Sequence, residues 1–149
     1  MFYLDGAIEI KFVDKWPENE IVELYKAGGW WKKNYDPSGI KNLIKGSYAF
    51  AVVVDRKSDK AIGMGRIISD SVSDAYIQDL VILPKYRGKG IGKQLVKYLL
   101  KRCRDDKIFW IGLIAEPGQD EFYSKIGFKK MEKYISMKYD EEEKDAFNR

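Results

Sequence analysis

Residues 81–93 place the strongest constraint on the fold: a short apolar run stops at a proline and enters a glycine-rich turn. The turn has glycine at alternate positions, namely Gly88, Gly90 and Gly92. Residues 93–100, which follow at once, are compatible with a helix. Such a junction exposes backbone N–H groups at the positive end of a helix dipole, where glycine leaves room for a ligand. With Arg87, Lys89 and Lys93 beside it, the turn predicts a binding site for a pyrophosphate-sized anion.

Two well-known phosphate-binding loops do not match the spacing of this turn. A dinucleotide-binding fingerprint requires a glycine three residues after Gly90, where this chain has Lys93. A P-loop requires a glycine five residues before Gly92, where this chain has Arg87. It also requires Ser or Thr after the lysine, and that position holds Gln94. The turn therefore belongs to another class of anion site.

The spacing that does fit is Arg-x-x-Gly-x-Gly, formed by Arg87, Gly90 and Gly92. It resembles the acetyl-coenzyme A loop of the GNAT superfamily of N-acetyltransferases. The preceding strand, residues 75–84, reads as in many bacterial members of that family. Downstream, residues 121–128 are similar to the family's Phe-Tyr-x-x-x-Gly-Phe element. Because the blocks occur in the family's order and at its usual separations, the motif is specific.

The periodicity of apolar residues and the positions of glycine and proline predict the element order β-α-α-β-β-β-α-β-α-β-β. The predicted strands are residues 8–12, 48–55, 60–69, 76–83 and 108–114, with one or two more within 128–139. The predicted helices are residues 17–25, 36–46, 91–104 and 120–125. The resemblance implies an α/β chain with the GNAT fold, a mixed sheet splayed where two central strands part around the pantetheine arm. We expect a single domain over residues 1–149, with a frayed acidic tail from about residue 140.

Composition limits the partners that this chain can have. An apolar content of 45% and an aromatic content of 14% are typical of a globular protein. The apolar run at residues 49–54 is too short to cross a bilayer, and the first residues lack a secretory pattern. We therefore expect a cytoplasmic protein without a membrane partner. The net charge of +4 is modest and its basic cluster lies around the glycine turn, which favours a nucleotide cofactor over a nucleic acid.

The chain has no histidine and one cysteine, Cys103. The lack of histidine excludes Ser-His and Cys-His nucleophile pairs and nearly every transition-metal site, so we expect no metal. A single cysteine excludes an internal disulfide. Cys103 ends a stripe with Ile91, Leu95 and Leu99 at a spacing of four residues, which predicts a side chain facing the core rather than a catalytic thiol.

The resemblance assigns the cofactor contacts to two neighbouring segments. The backbone of Leu80, Val81 and Ile82 would pair with the pantetheine like an added strand, and one of these N–H groups would polarise the acetyl carbonyl. The pyrophosphate would be held by Arg87, Gly88, Lys89, Gly90, Ile91, Gly92 and Lys93. Acetyl-coenzyme A is therefore the expected co-substrate.

Tyr123 corresponds to the family's frequent general acid. A phenol with a pKa of about 10 can donate a proton to a departing thiolate with a pKa of roughly 8.5–10. The alternative is an aromatic side chain packed beside Phe122.

Asp79 is an acidic residue in an otherwise apolar strand, so it needs a partner or a task. Strict alternation predicts that it shares a side with Ile77 and Val81 and lies opposite Gln78. The strand resembles that of polyamine acetyltransferases, in which an acidic residue at this position lies near the amine. Asp79 is thus a candidate base, a candidate anchor for the amine, or a structural ion pair.

The acceptor site of the family usually involves the first helices, where this chain has Trp30 and Trp31. These rings and Tyr76 would stack on a small amine, or the tryptophans would close the helix pair as core residues. Many members also carry an asparagine where this chain has residues 115–118, and Glu116 is a candidate replacement.

The leading hypothesis is transfer of an acetyl group from acetyl-coenzyme A to a small primary amine in a ternary complex. The alternatives are acetylation of a protein or peptide amine, and a non-catalytic module that binds coenzyme A. An idle module should lack the phosphate loop or the acid, whereas this chain keeps both. A homodimer is an open expectation, since many relatives pair.

Overall fold

The computed structural model describes residues 2–4 and 6–140, which form one mixed sheet with helices on both faces. The strands are β1 (Phe2–Leu4), β2 (Ile8–Phe12), β3 (Ala49–Asp55), β4 (Lys60–Ser69), β5 (Asp74–Ile82) and β6 (Trp110–Gly112). The helices are α1 (Glu18–Ala27), α2 (Gly39–Gly46), α3 (Ile91–Asp105) and α4 (Asp120–Ser124), with a 3₁₀ turn at Pro84–Tyr86. The strands are ordered β1 to β6, and all neighbours are antiparallel except β5 and β6, which are parallel.

Both faces of the central strands are covered, which explains why β3 reads as a continuous apolar run. Ala51 and Val53 pack in the layer beneath α3. Phe50 and Val52 pack against α1 and α2 on the opposite face. The mixed sheet and the order of elements from β2 to α4 confirm the predicted fold class.

One stripe of α3 faces the core, as its spacing predicts. Leu95, Leu99 and Cys103 have no exposed surface, and Ile91 is 5% exposed. Burial raises the pKa of the Cys103 thiol, so the thiol stays protonated at neutral pH. Cys103 is therefore a core residue.

The two ends of the described chain differ from the prediction. The strand β1, which pairs with β2, was not expected from the sequence. Conversely, the predicted strands within residues 128–139 are absent, and Ile135 and Met137 are 85% and 89% exposed. Alternation of apolar residues produces a strand only where a neighbouring edge accepts its hydrogen bonds. Residues 141–149, most of the predicted acidic tail, lie outside the described residues.

The sheet splays between β5 and β6, as the resemblance implies, but β6 is the edge strand of the described sheet rather than a central one. The two strands share three pairs only, from Asp74 with Trp110 to Tyr76 with Gly112. Beyond these pairs β5 continues to Ile82, whereas β6 ends at Gly112, shorter than the predicted strand at 108–114. The second half of β5 therefore has no β6 neighbour. Within residues 2–4 and 6–140, no helix is long and apolar enough to cross a membrane.

Replacing Leu99 by alanine tests the packing of α3 on the sheet. Leu99 is fully buried, so truncation should lower the free energy of unfolding by about 2–5 kcal/mol through lost burial and a residual cavity. The matched control is Lys97→Ala, at an exposed position of the same helix, which should change it by less than about 0.5 kcal/mol. Urea denaturation measures both. Equal stability of the two variants would contradict the described core.

Candidate active site

A cleft of about 1030 Å³ opens where β5 and β6 diverge. Its walls come from β5, the turn before α3, the first turn of α3, the end of α1 and the chain between β6 and α4. Every residue that the sequence analysis selected for a site lines this cleft, except Lys89 and Trp31. The structure thus brings into one cavity side chains that lie up to about ninety residues apart in the sequence.

The anion turn, residues 87–93, contributes the N-terminus of α3 to the cleft. Gly88 and Gly90 have φ angles of 77° and 81°, which residues other than glycine rarely adopt. Gly90 is the N-cap of α3, and no side chain caps this helix end. The first amides of a helix have no partner within the helix, so they remain available to an anion. The backbone geometry fits the diphosphate site that the spacing predicts.

The anion turn has three cationic side chains. Arg87 and Lys93 line the cleft, whereas Lys89 does not. The Arg87 Nε donates a hydrogen bond of 2.8 Å to the carbonyl oxygen of Ile82, which ties the side chain to the end of β5. Lys93 also lines the cleft. Lys89 instead places its Nζ 5.8 Å from the centre of the Tyr86 ring.

A bulge interrupts β5 in the middle of the cleft wall. Val81 pairs with Met64 and Gln78 pairs with Arg66, so two residues of β5 face the single residue Gly65. One of the two, Asp79, has a φ of 56°, in the left-handed region. An extra residue in one strand of an antiparallel pair bends that strand and increases its twist.

The bulge reverses the alternation of side chains along β5. The sequence analysis expected Asp79 to share a side with both Ile77 and Val81; this holds for Val81 and is wrong for Ile77. Ile77 packs in the layer beneath α3, whereas Val81 packs against α1 and α2. Asp79 contacts α1, because the left-handed residue shifts the pattern by one position.

Gly65 provides the space that the bulge needs. A Cβ atom at this position would lie 2.8 Å from the Leu80 Cδ1 and 3.1 Å from the Leu99 Cδ1. Leu80 therefore packs over the glycine and toward α3. An alanine at position 65 would push Leu80 out of this position.

Asp79 makes two strong polar contacts. Its Oδ2 accepts a hydrogen bond of 2.6 Å from the Arg66 Nε and one of 2.7 Å from the Tyr25 hydroxyl. The Arg66 and Asp79 side chains are 16% and 22% exposed, so solvent screens this ion pair only in part. Burial, and then the charge of Asp79, raise the pKa of Tyr25, which keeps its hydroxyl protonated as a donor. We call these three residues the bulge clamp.

Tyr123 reaches the cleft from α4 and is half-buried. Its ring lies edge-on to Phe122 and Phe128, with centroid distances of 4.9 and 5.7 Å. Burial raises the pKa of Tyr123 above its ordinary value, and the charge of Glu116 adds to this effect. The phenol is therefore neutral at physiological pH and carries a proton that it can donate.

The two tryptophans after α1 have different surroundings. Trp30 lines the cleft, and its Nε1 donates a hydrogen bond of 2.9 Å to the Glu116 Oε1. Gly28 permits this position, because a Cβ there would lie 2.5 Å from the Trp30 ring. Trp31 packs against the core, with its ring centre 5.3 Å from that of Tyr35.

Tyr76 lines the cleft from β5. Its ring lies 5.4 Å from that of Trp110, centre to centre. It is 44% exposed, so a ligand can reach the ring.

The sequence analysis missed Arg66 and Tyr25, the partners of Asp79. They lie 13 and 54 residues from it in the chain, so no local spacing connects them. The one available signal is the acidic residue in an apolar strand, which demands a partner without specifying it.

Comparison with known proteins places this chain among acetyltransferases. A family model described as an acetyltransferase (GNAT) domain matches residues 20–139. The chain is 34% identical over 113 residues to an uncharacterized N-acetyltransferase, ycf52, of Pyropia yezoensis, covering 74% of this chain and 64% of that protein. It is 39% identical to a ycf52-like protein of Prochlorococcus marinus, covering 73% of this chain and 61% of that protein. The chain thus spans less than two thirds of the length of these relatives.

Solved structures share the fold. A GNAT-family acetyltransferase from Streptococcus pneumoniae superposes with a TM-score of 0.75 at 25% identity, covering 91% of this chain and 99% of that one. Glucosamine-6-phosphate N-acetyltransferase from Arabidopsis thaliana gives a TM-score of 0.71 at 17% identity, covering 90% and 99%. The second likeness concerns the fold alone.

Substitutions of Asp79 separate its backbone conformation from its side-chain contacts. Alanine and glycine both remove the carboxylate, but only glycine also removes the cost of a left-handed φ. Asp79→Ala should therefore be less stable than Asp79→Gly by about 1 kcal/mol in urea denaturation. At Asp74, an exposed residue of the same strand without a positive φ, the order should reverse by about 0.5–1 kcal/mol. The same order at both positions would contradict the bulge.

Proposed function

Because the chain belongs to the GNAT family of N-acetyltransferases, we propose that it transfers an acetyl group from acetyl-coenzyme A to a small primary amine. The supporting observation is that one cleft combines an anion turn, a bulged strand without a β6 neighbour and a neutral phenol. Each of the three meets one requirement of acyl transfer. The amine attacks directly while both substrates are bound.

The anion turn would hold the diphosphate of the co-substrate. The amides at the start of α3 would donate to the phosphate oxygens, and Arg87 and Lys93 would balance their charge. Acetyl-coenzyme A supplies the acetyl group as a thioester, which is activated toward attack by nitrogen. No metal is needed for this chemistry.

The second half of β5 would position the acyl group. The backbone of Leu80, Val81 and Ile82 lies beyond the last pair with β6 and lines the cleft. An extended ligand arm would add to this strand as a further strand does, through main-chain hydrogen bonds. One N–H group of this segment would stabilise the negative charge that develops on the carbonyl oxygen.

Tyr123 would supply a proton to the leaving group. The nitrogen lone pair forms the new C–N bond and the C–S bond breaks, so that the sulfur departs with its electron pair. An ammonium acceptor loses two protons overall. One replaces the phenol proton that Tyr123 gives to the thiolate, and the other is released to solvent. Tyr123 is thereby restored.

Asp79 would serve the reaction through the bulge. Its charge is balanced by Arg66, and its Oδ2 also accepts a hydrogen bond from Tyr25. The oxygen that would approach an amine is thus already engaged by two donors of the protein. Among the three roles that the sequence left open, we assign it the structural one.

A protein amine is the second candidate acceptor. One relative, named histone acetyltransferase TAP1, of Glycine max, is 29% identical to this chain and covers 76% of it. That protein is also longer, since the match spans 46% of its length. A lysine-containing peptide therefore belongs in any panel of acceptors.

Acetyl-coenzyme A should raise the melting temperature of this protein, whereas NAD and ATP should not. A ligand at one hundred times its Kd stabilises the folded state by about 2.7 kcal/mol. Gly90→Val should abolish the shift, because a β-branched residue strongly disfavours a φ of 81°. Gly46→Ala should retain it, because the new Cβ would meet no side chain and no other element of the protein within 4 Å. A shift that survives in Gly90→Val would show that the anion turn is not the site.

Tyr123→Phe should lower kcat by about 10²–10⁴-fold, because the general acid is lost. The thermal shift with acetyl-coenzyme A should remain, since the ring is kept. Release of free thiol, measured across polyamines, arylalkylamines, amino sugars and a lysine peptide, gives kcat and identifies the acceptor. Tyr134→Phe is the control, because Tyr134 is 74% exposed and does not line the cleft. Unchanged turnover in Tyr123→Phe would refute the assignment of the acid.

A further inference from the structure

The charges that line the cleft are unevenly distributed. Among the described residues the cleft has two cationic side chains, Arg87 and Lys93, and both belong to the anion turn. It has two carboxylates, Asp79 and Glu116. A carboxylate in a cleft attracts cations only to the extent that no protein cation already balances it.

The two carboxylates differ in this respect. Asp79 is paired with the Arg66 guanidinium at 2.6 Å. Glu116 takes part in none of the ion pairs found in the described part of the chain. Its hydrogen bond from the Trp30 Nε1 comes from a neutral indole, which orients the carboxylate and leaves its charge in place. Glu116 is thus the carboxylate of the cleft whose charge is unbalanced.

The position of Glu116 is fixed from the opposite wall. Trp30 follows α1, whereas Glu116 belongs to the chain after β6, so their 2.9 Å hydrogen bond joins two walls of the cleft. The close approach of Gly28 to the Trp30 ring holds the indole back against the end of α1. The field of Glu116 also reaches the phenol of Tyr123, whose pKa it raises. Glu116 and Tyr123 both line the cleft, so the carboxylate shares this cavity with the group that we assign as the acid.

We infer that Glu116 binds the ammonium group of the acceptor, and that the acceptor is a protonated amine with a flat apolar body. This inference rests on the proposed function. The exposed carboxylate would receive the cation, and the aromatic faces of Trp30 and Tyr76, which line the same cleft, would contact the remainder of the molecule. Acceptors that carry a carboxylate or a phosphate beside the amine are disfavoured, because Glu116 repels them.

Glu116→Gln isolates the charge. The glutamine oxygen can still accept the hydrogen bond from Trp30, so the variant removes the charge and keeps the contact. We expect KM for phenethylamine or tryptamine, whichever is turned over faster, to rise about tenfold with kcat changed less than about twofold. The KM for acetyl-coenzyme A should not change. Glu121→Gln is the matched control, because Glu121 lies on the exposed face of α4 outside the cleft.

Salt dependence distinguishes a charge from a merely structural contact. In the unaltered protein the KM for the amine should rise with sodium chloride, because salt screens an exposed ion pair. In Glu116→Gln that dependence should largely disappear. In Trp30→Phe, which loses the indole donor and keeps the carboxylate, it should persist. 2-Phenylethanol, the neutral counterpart of phenethylamine, should inhibit the parent protein and Glu116→Gln equally.

Three results with the Glu116 and Asp79 variants would overturn the inference, and two results with the parent protein would do so as well. The first is an unchanged amine KM in Glu116→Gln. The second is an amine KM in Glu116→Gln that depends on salt as strongly as that of the parent protein. The third is a larger rise of KM in Asp79→Asn than in Glu116→Gln, which would make Asp79 the anchor. If acetyl-coenzyme A binds but no amine probe is acetylated, the inference on Glu116 fails and the donor site stands. If acetyl-coenzyme A gives no thermal shift, the proposed function fails and the inference fails with it.

Discussion

The contact on which this site depends is the bulge clamp, in which Arg66 and Tyr25 hold the carboxylate of Asp79. A left-handed conformation costs a residue such as aspartate roughly 1–2 kcal/mol. Hydrogen bonds to a charged group are each worth about 1.5–3 kcal/mol, so two of them offset this cost. The clamp thereby maintains a backbone conformation that the strand would not adopt unaided. It fixes the bulge beside the point at which β5 loses its β6 neighbour.

From this bulge the geometry of the cleft follows. Ile77 and Leu80 both pack toward α3 although they are three positions apart, so the strand bends between them within the cleft wall. At the end of the strand the chain enters the anion turn, where the uncapped N-terminus of α3 lines the same cavity. A rigid sheet thus connects the place where charge would be bound to the place where acyl transfer would occur. Preorganisation of this kind reduces the cost of ordering the reactants.

Charge divides the cleft into two parts of opposite sign. The cations belong to the anion turn, while the unbalanced carboxylate of Glu116 lies after β6 and is joined to Trp30. An anionic co-substrate and a cationic acceptor would consequently be drawn to different walls. Neutralisation of Asp79 by Arg66 is part of this arrangement, because a second unbalanced carboxylate would offer the cation a competing position.

By itself the sequence determined the features that depend on local rules. Periodicity located the buried stripe of α3, and alternate glycines located the anion turn, because backbone conformation and burial follow from near neighbours. It also placed Tyr123 and Asp79 among the candidates. Only the tertiary structure decided what Asp79 contacts, which side of β5 it occupies, and that residues 128–139 form no strand. These depend on residues far away in the chain: a bulge shifts the alternation by one position, and a strand requires an edge that another segment must supply.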